Sequence, residues 1–114
     1  MRPGEFVSRY NLHDSFIETV DSAPTNHTIT LRIHFAFWMQ EDYQDGSPET
    51  GILTVTFHNV HQYQCEGGDP AGAFVGILSA ECDGDCITIS LLDDETVECF
   101  SMMIAADDVT AVVE

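Results

Sequence analysis

Between Thr28 and Phe37 the chain alternates without a break. Ile29, Leu31, Ile33, Phe35 and Phe37 fall on one side; Thr28, Thr30, Arg32, His34 and Ala36 fall on the other. A period of two over this length predicts a half-buried β-strand, and the apolar face makes it a central strand of the core. The pattern recurs from Leu53 to His58 and from Cys86 to Leu91. Thr96 to Ile104 reads as a strand with both faces partly buried, because Phe100, Met102 and Ile104 oppose Val97, Cys99 and Met103. Phe74 to Ala80 is a strand with a weak point at Gly76, Phe16 to Val20 is a short one, and Val109 to Val113 is terminal.

Turn signals separate these runs. Ser22-Ala23-Pro24-Thr25-Asn26 lies between the first two strands, Asp83-Gly84 marks a tight hairpin, and Asp93-Asp94-Glu95 marks a compact turn. Trp38 to Tyr43 has room for one helical turn before the loop Gln44-Asp45-Gly46-Ser47-Pro48-Glu49, and no segment predicts a long amphipathic helix. The pattern contains no internal repeat. It predicts an all-β, single-domain antiparallel meander of seven or eight strands over residues 1–114. The curved sheet is expected to close as a barrel or a two-layer sandwich, with at most one short helix.

Charge then narrows the choice of partner. The 114 residues carry three arginines, no lysine and twenty Asp and Glu, a formal net charge of -17. Sixteen of the acids follow Ile33, where no positive residue occurs apart from histidine. Nucleic acid and anionic membranes are repelled by such a surface, and a basic protein is attracted. The same excess strains the compact state by self-repulsion, which salt screens. No apolar run approaches the ~20 residues of a membrane-spanning helix, and Met1-Arg2-Pro3-Gly4-Glu5 lacks a signal-peptide core, so a cytoplasmic location is the expectation. In that compartment Cys65, Cys82, Cys86 and Cys99 are expected to be free thiols. A Cys82–Cys86 bond would need Cβ atoms about 4 Å apart across a three-residue turn.

Four groups of residues invite a chemical reading. His13-Asp14-Ser15 has the residue types of a hydrolase triad, but sequence neighbours in an extended chain point opposite ways, so a turn is favoured. His34, His58 and His61 are the weak metal or acid–base candidates; surface histidines are the favoured reading and no cofactor is expected. Asp83, Asp85, Asp93, Asp94, Asp107 and Asp108 gather at strand ends without the spacing of a calcium loop. The last group follows the strongest strand. Trp38 and Tyr43 supply aromatic anchors beside Glu41, Asp42, Asp45 and Glu49, a combination suited to holding and steering a basic protein.

The segment Leu12-His13-Asp14-Ser15-Phe16-Ile17-Glu18-Thr19-Val20, the long alternating strand, Trp38-Met39 and the closing Met103-Ile104-Ala105-Ala106-Asp107-Asp108-Val109 together resemble small uncharacterised bacterial proteins. Several of those are similar to immunity proteins of polymorphic toxin systems. The resemblance implies a non-enzymatic, mostly β protein with no shared catalytic residue, and it leaves the partner open. Together with the acidic surface, the expectation is an immunity-type inhibitor that docks on a basic partner such as a toxin domain. The alternative expectation is a small-ligand-binding barrel lined by Phe35, Phe37, Phe57 and Phe74. A homodimer through an exposed sheet face is also open.

Overall fold

The computed structural model describes residues 1–71 and 75–114. A short helix, α1 (Pro3–Arg9), precedes β1 (Phe16–Ala23), a 3-10 turn (Pro24–Asn26) and β2 (Thr28–Ala36). A second 3-10 turn (Phe37–Met39) leads by a loop to β3 (Thr50–His58) and β4 (Gln62–Glu66). Then come β5 (Val75–Asp83), β6 (Cys86–Asp93), β7 (Glu98–Ala105) and β8 (Asp108–Val113). The expected start of a strand at Phe74 lies outside the described residues.

The eight strands form one antiparallel sheet in the order β4-β7-β6-β5-β1-β2-β3-β8. Sequential pairing therefore holds within β1-β2-β3 and within β5-β6-β7, but not for the remaining strands. Each three-stranded meander is completed by the strand that follows the other: β8 pairs with β3, and β4 pairs with β7. Read from either end, the order is the same once β1 is exchanged with β5, β2 with β6, β3 with β7 and β4 with β8. The resemblance extends to detail, for both leading strands carry a register shift, between Ile17 and Thr19 in β1 and between Ile77 and Ser79 in β5. These two strands meet at the centre, where Phe16 pairs with Gly76 and the Ile77 amide donates to the Ser15 carbonyl at 2.7 Å. The chain thus has a repeat of topology where its sequence shows none. β4 and β8 are edges, so the sheet is not closed as a barrel.

Backbone bonds direct the crossing. After β3, Asn59 adopts a left-handed conformation (φ 55) that turns the chain away from a hairpin. The Val60 amide then donates to His27 at 2.8 Å and the His61 amide to Ala105 at 3.0 Å, which delivers β4 to the side of β7.

One buried cluster draws on both meanders. Ile29, Leu31, Ile33 and Phe35 of β2 and Leu53, Val55 and Phe57 of β3 pack with Ile77 of β5, Ile87, Ile89 and Leu91 of β6, and Met102 and Ile104 of β7. Each such side chain contributes about 1.5–3 kcal/mol on burial. Both faces of β7 are partly buried, as expected: Met102 and Ile104 are inside on one, and on the other Met103 is half-buried and Ala105 buried, while Cys99 is exposed and Val97 lies outside the strand. α1 begins with Pro3 at its first position, carries Glu5 and Arg9 in its first and last turns, and buries Phe6.

The β6–β7 turn stores strain. Asp93 organises it, its Oδ1 accepting the Glu95 and Thr96 amides at 2.9 and 3.3 Å. Val97 is held left-handed there (φ 58) and is 78% exposed. A β-branched residue in that region costs about 1–2 kcal/mol and nothing buried repays it. Val97→Gly is expected to stabilise the fold by about 0.5–1 kcal/mol, after the added freedom of the unfolded chain is subtracted. Chemical denaturation measures this, and an unchanged or lower midpoint would refute it.

Candidate functional site

The aromatic-acidic patch is built from the exit of β2. At Ala36 the strand is pinned by its own amide, which donates to the buried Ser15 Oγ at 2.9 Å. Phe37 then turns its ring over Gly51, where a Cβ would lie only 2.5 Å from Phe37 carbon atoms, and meets Phe35 edge-on at 5.7 Å. With Phe37 held over the sheet, the next side chain, Trp38, is left 45% exposed.

The loop after Trp38 is tied at three points. The Trp38 amide donates to the Glu49 carbonyl at 3.2 Å and closes its base. The Tyr43 hydroxyl donates to the Ser47 carbonyl at 3.2 Å. Gln40 bolts the loop to the segment behind α1: its Nε2 donates to the carbonyls of Asn11 (2.8 Å) and Ala36 (2.9 Å), and its Oε1 accepts the Asn11 amide at 3.0 Å. Between this loop and α1 runs a groove of about 420 Å3 lined by Arg9, Tyr10, Phe35, Phe37, Tyr43 and Pro48, among others.

Glu41, Asp42, Asp45 and Glu49 are all exposed on this loop. Among the described residues none of the four joins an ion pair. Arg9 is engaged by Glu5 at 3.7 Å, and Arg32 by Glu18 at 3.5 Å and Glu114 at 3.1 Å. The six residues singled out from the sequence thus lie on one tied loop: one exposed indole, one tethered tyrosine and four exposed carboxylates that join no ion pair among the described residues.

The triad-like segment is a turn. Asp14 is left-handed (φ 64), the His13 Nδ1 lies 2.7 Å from the Leu78 carbonyl, and Ser15 is 1% exposed with its hydroxyl spent on Ala36. A serine so placed has no access to a substrate carbonyl.

The three candidate histidines do not converge. His34 stacks edge-on against Phe16 at 4.7 Å. His58 follows the stretch of β3 that faces the start of β2, and its Nε2 lies 3.0 Å from Thr110 Oγ1. Because His34 pairs with Ile52 and His58 stands six residues further along the same strand, the two are about 20 Å apart. His61 instead stands with two carboxylates: its Nε2 is 3.0 Å from Asp85 Oδ2, and its Nδ1 is 4.0 Å from Asp107 Oδ1. Asp108 beside them binds the Met1 amino group at 3.0 Å, and that hydrogen bond, aided by the amine's charge and by His58, holds its carboxyl below the ordinary carboxylate range.

The four thiols are free. Asp83 pairs with Cys86 and Cys82 with Ile87 across a two-residue turn in which Gly84 has φ 65. Paired residues share a face and neighbours alternate, so Cys82 lies on the core side with Ile87 while Cys86 faces out, which rules out a bond between them. Burial, and then the nearby acidic groups, push the Cys82 thiol above its ordinary value; burial and Asp69 do the same for Cys65. Both shifts disfavour the thiolate, the reactive form.

Comparison adds no relative. No protein-family model, curated protein or solved structure matches the chain. No helix among the described residues is long and apolar enough to cross a membrane.

Proposed function

We propose that this chain is a non-enzymatic acidic binding protein, an immunity-type inhibitor that docks on a basic partner such as a toxin domain. The observation that carries the reading is the 45%-exposed Trp38 standing beside four exposed carboxylates that pair with no cation among the described residues. Large exposed aromatics next to a strong single-sign field are the parts from which a steered, tightly held interface is assembled. The partner presents lysine and arginine around an apolar notch that admits the indole. The same field repels nucleic acid and anionic lipid. We place the protein in the cytoplasm, where four unbonded thiols persist. We also read the sheet as two layers, since residues of both meanders feed one buried cluster. The alternative of a barrel with an apolar ligand chamber is weaker, because Phe35 and Phe57 are 2% and 0% exposed and packed within that cluster.

The experiment is binding kinetics with a partner captured from the native cell at low salt. The quadruple neutralisation of Glu41→Gln, Asp42→Asn, Asp45→Asn and Glu49→Gln is expected to slow association about tenfold at low ionic strength, and added salt is expected to erase that difference. Association that is equally fast for both proteins at every ionic strength would remove the steering role.

A further inference from the structure

We propose that His61, Asp85 and Asp107 form a binding site for a divalent transition-metal cation of the zinc class, at the end of the sheet where the exchanged strands cross. One imidazole nitrogen and one oxygen from each carboxylate lie within 4.8 Å of one another. Zinc bonds to such donors are about 2.0–2.2 Å long, which puts neighbouring ligand atoms about 3.4 Å apart, so small rotations of exposed side chains suffice. The donor set selects the ion. An imidazole with two carboxylates suits zinc and its neighbours, whereas magnesium and calcium ask for oxygen alone. One or more positions remain for water.

The ligands come from three separate connections: the β3–β4 link, the β5–β6 turn and the β7–β8 turn. These are already cross-bonded through the main chain. The His61 amide donates to Ala105 at 3.0 Å, the Ala106 amide to Asp85 at 3.1 Å, and the Asp107 amide to His58 at 3.1 Å. The backbones are thus fixed before the ion arrives, and the ordering cost of binding falls on the side chains alone. Two carboxylates facing one imidazole leave excess negative charge that a dication neutralises. The bound ion would clamp the two edge strands to the opposite meanders.

The test is calorimetric titration of the reduced full-length chain with zinc chloride, with magnesium chloride as comparison and cobalt(II) as a spectroscopic probe. The expected result is one zinc per chain with micromolar affinity, a rise in melting temperature of about 5 °C or more at saturation, and a cobalt spectrum without a thiolate charge-transfer band. His61→Ala and Asp107→Asn should each weaken binding at least about tenfold. All the substituted positions are exposed, so circular dichroism is expected to show an unchanged fold. Affinity weaker than about 1 mM, binding untouched in His61→Ala, or a thiolate band would each overturn the proposal. None of these outcomes bears on docking at the Trp38 loop.

Discussion

Phe6→Ala is expected to destabilise the protein by about 3–5 kcal/mol, a large share of the total stability of a domain this size. The reason lies in how α1 is held. Its seven residues are too few to persist as a helix in isolation. It survives because Phe6, 1% exposed, enters the core, stacks edge-on against Phe57 at 6.2 Å and supports Tyr10 at 5.3 Å. Tyr10 in turn rests on Phe35 at 6.0 Å. Removing the first ring leaves a cavity and frees the chain of rings behind it. The Glu5–Arg9 pair is exposed and adds little to offset the loss. Equilibrium denaturation reads the effect directly. A cost below about 1.5 kcal/mol would mean that α1 lies on the surface of the fold and is not one of its walls.

The depth to which the fold was legible in the sequence follows the strength of each local signal. β2, β3 and β6 alternate because one face of each is buried and the other is solvated, and that asymmetry is written directly into residue order. α1 was invisible for the opposite reason: one buried phenylalanine in seven residues makes no period, and only Pro3, Glu5 and Arg9 hint at helix ends. β4 reads Gln-Tyr-Gln-Cys-Glu and is exposed along most of its length, so its pairing is carried by backbone groups that every sequence shares. The exchange of β4 and β8 is likewise a matter of where main-chain bonds at Val60, His61 and Asp107 send the chain. The candidate site divides along the same line. Trp38, Tyr43 and the loop acids are contiguous, so their neighbourhood was readable. The grouping of His61 with Asp85 and Asp107 depends on the crossing, and no spacing in the sequence announces it.

Trp38→Ala is expected to speed dissociation of the partner by about thirtyfold or more, equivalent to about 2 kcal/mol, while association changes little. The argument is one of division of labour. A charge acts across solvent before contact, so the four loop carboxylates govern the encounter. An indole acts only after water has left its surface, so it governs how long the complex lasts. Trp38 is suited to that task because its backbone is already rigid: Phe37 is held over Gly51, and the amide of Trp38 itself closes the loop on Glu49. Little ordering remains to be lost on binding. The fold should not suffer, since the side chain is 45% exposed and lies outside the buried cluster. Surface plasmon resonance with the purified partner separates the two rates. If truncating the indole slows association and leaves dissociation alone, the roles assigned to aromatic and acid are reversed. If neither rate moves, the interface lies elsewhere on the sheet.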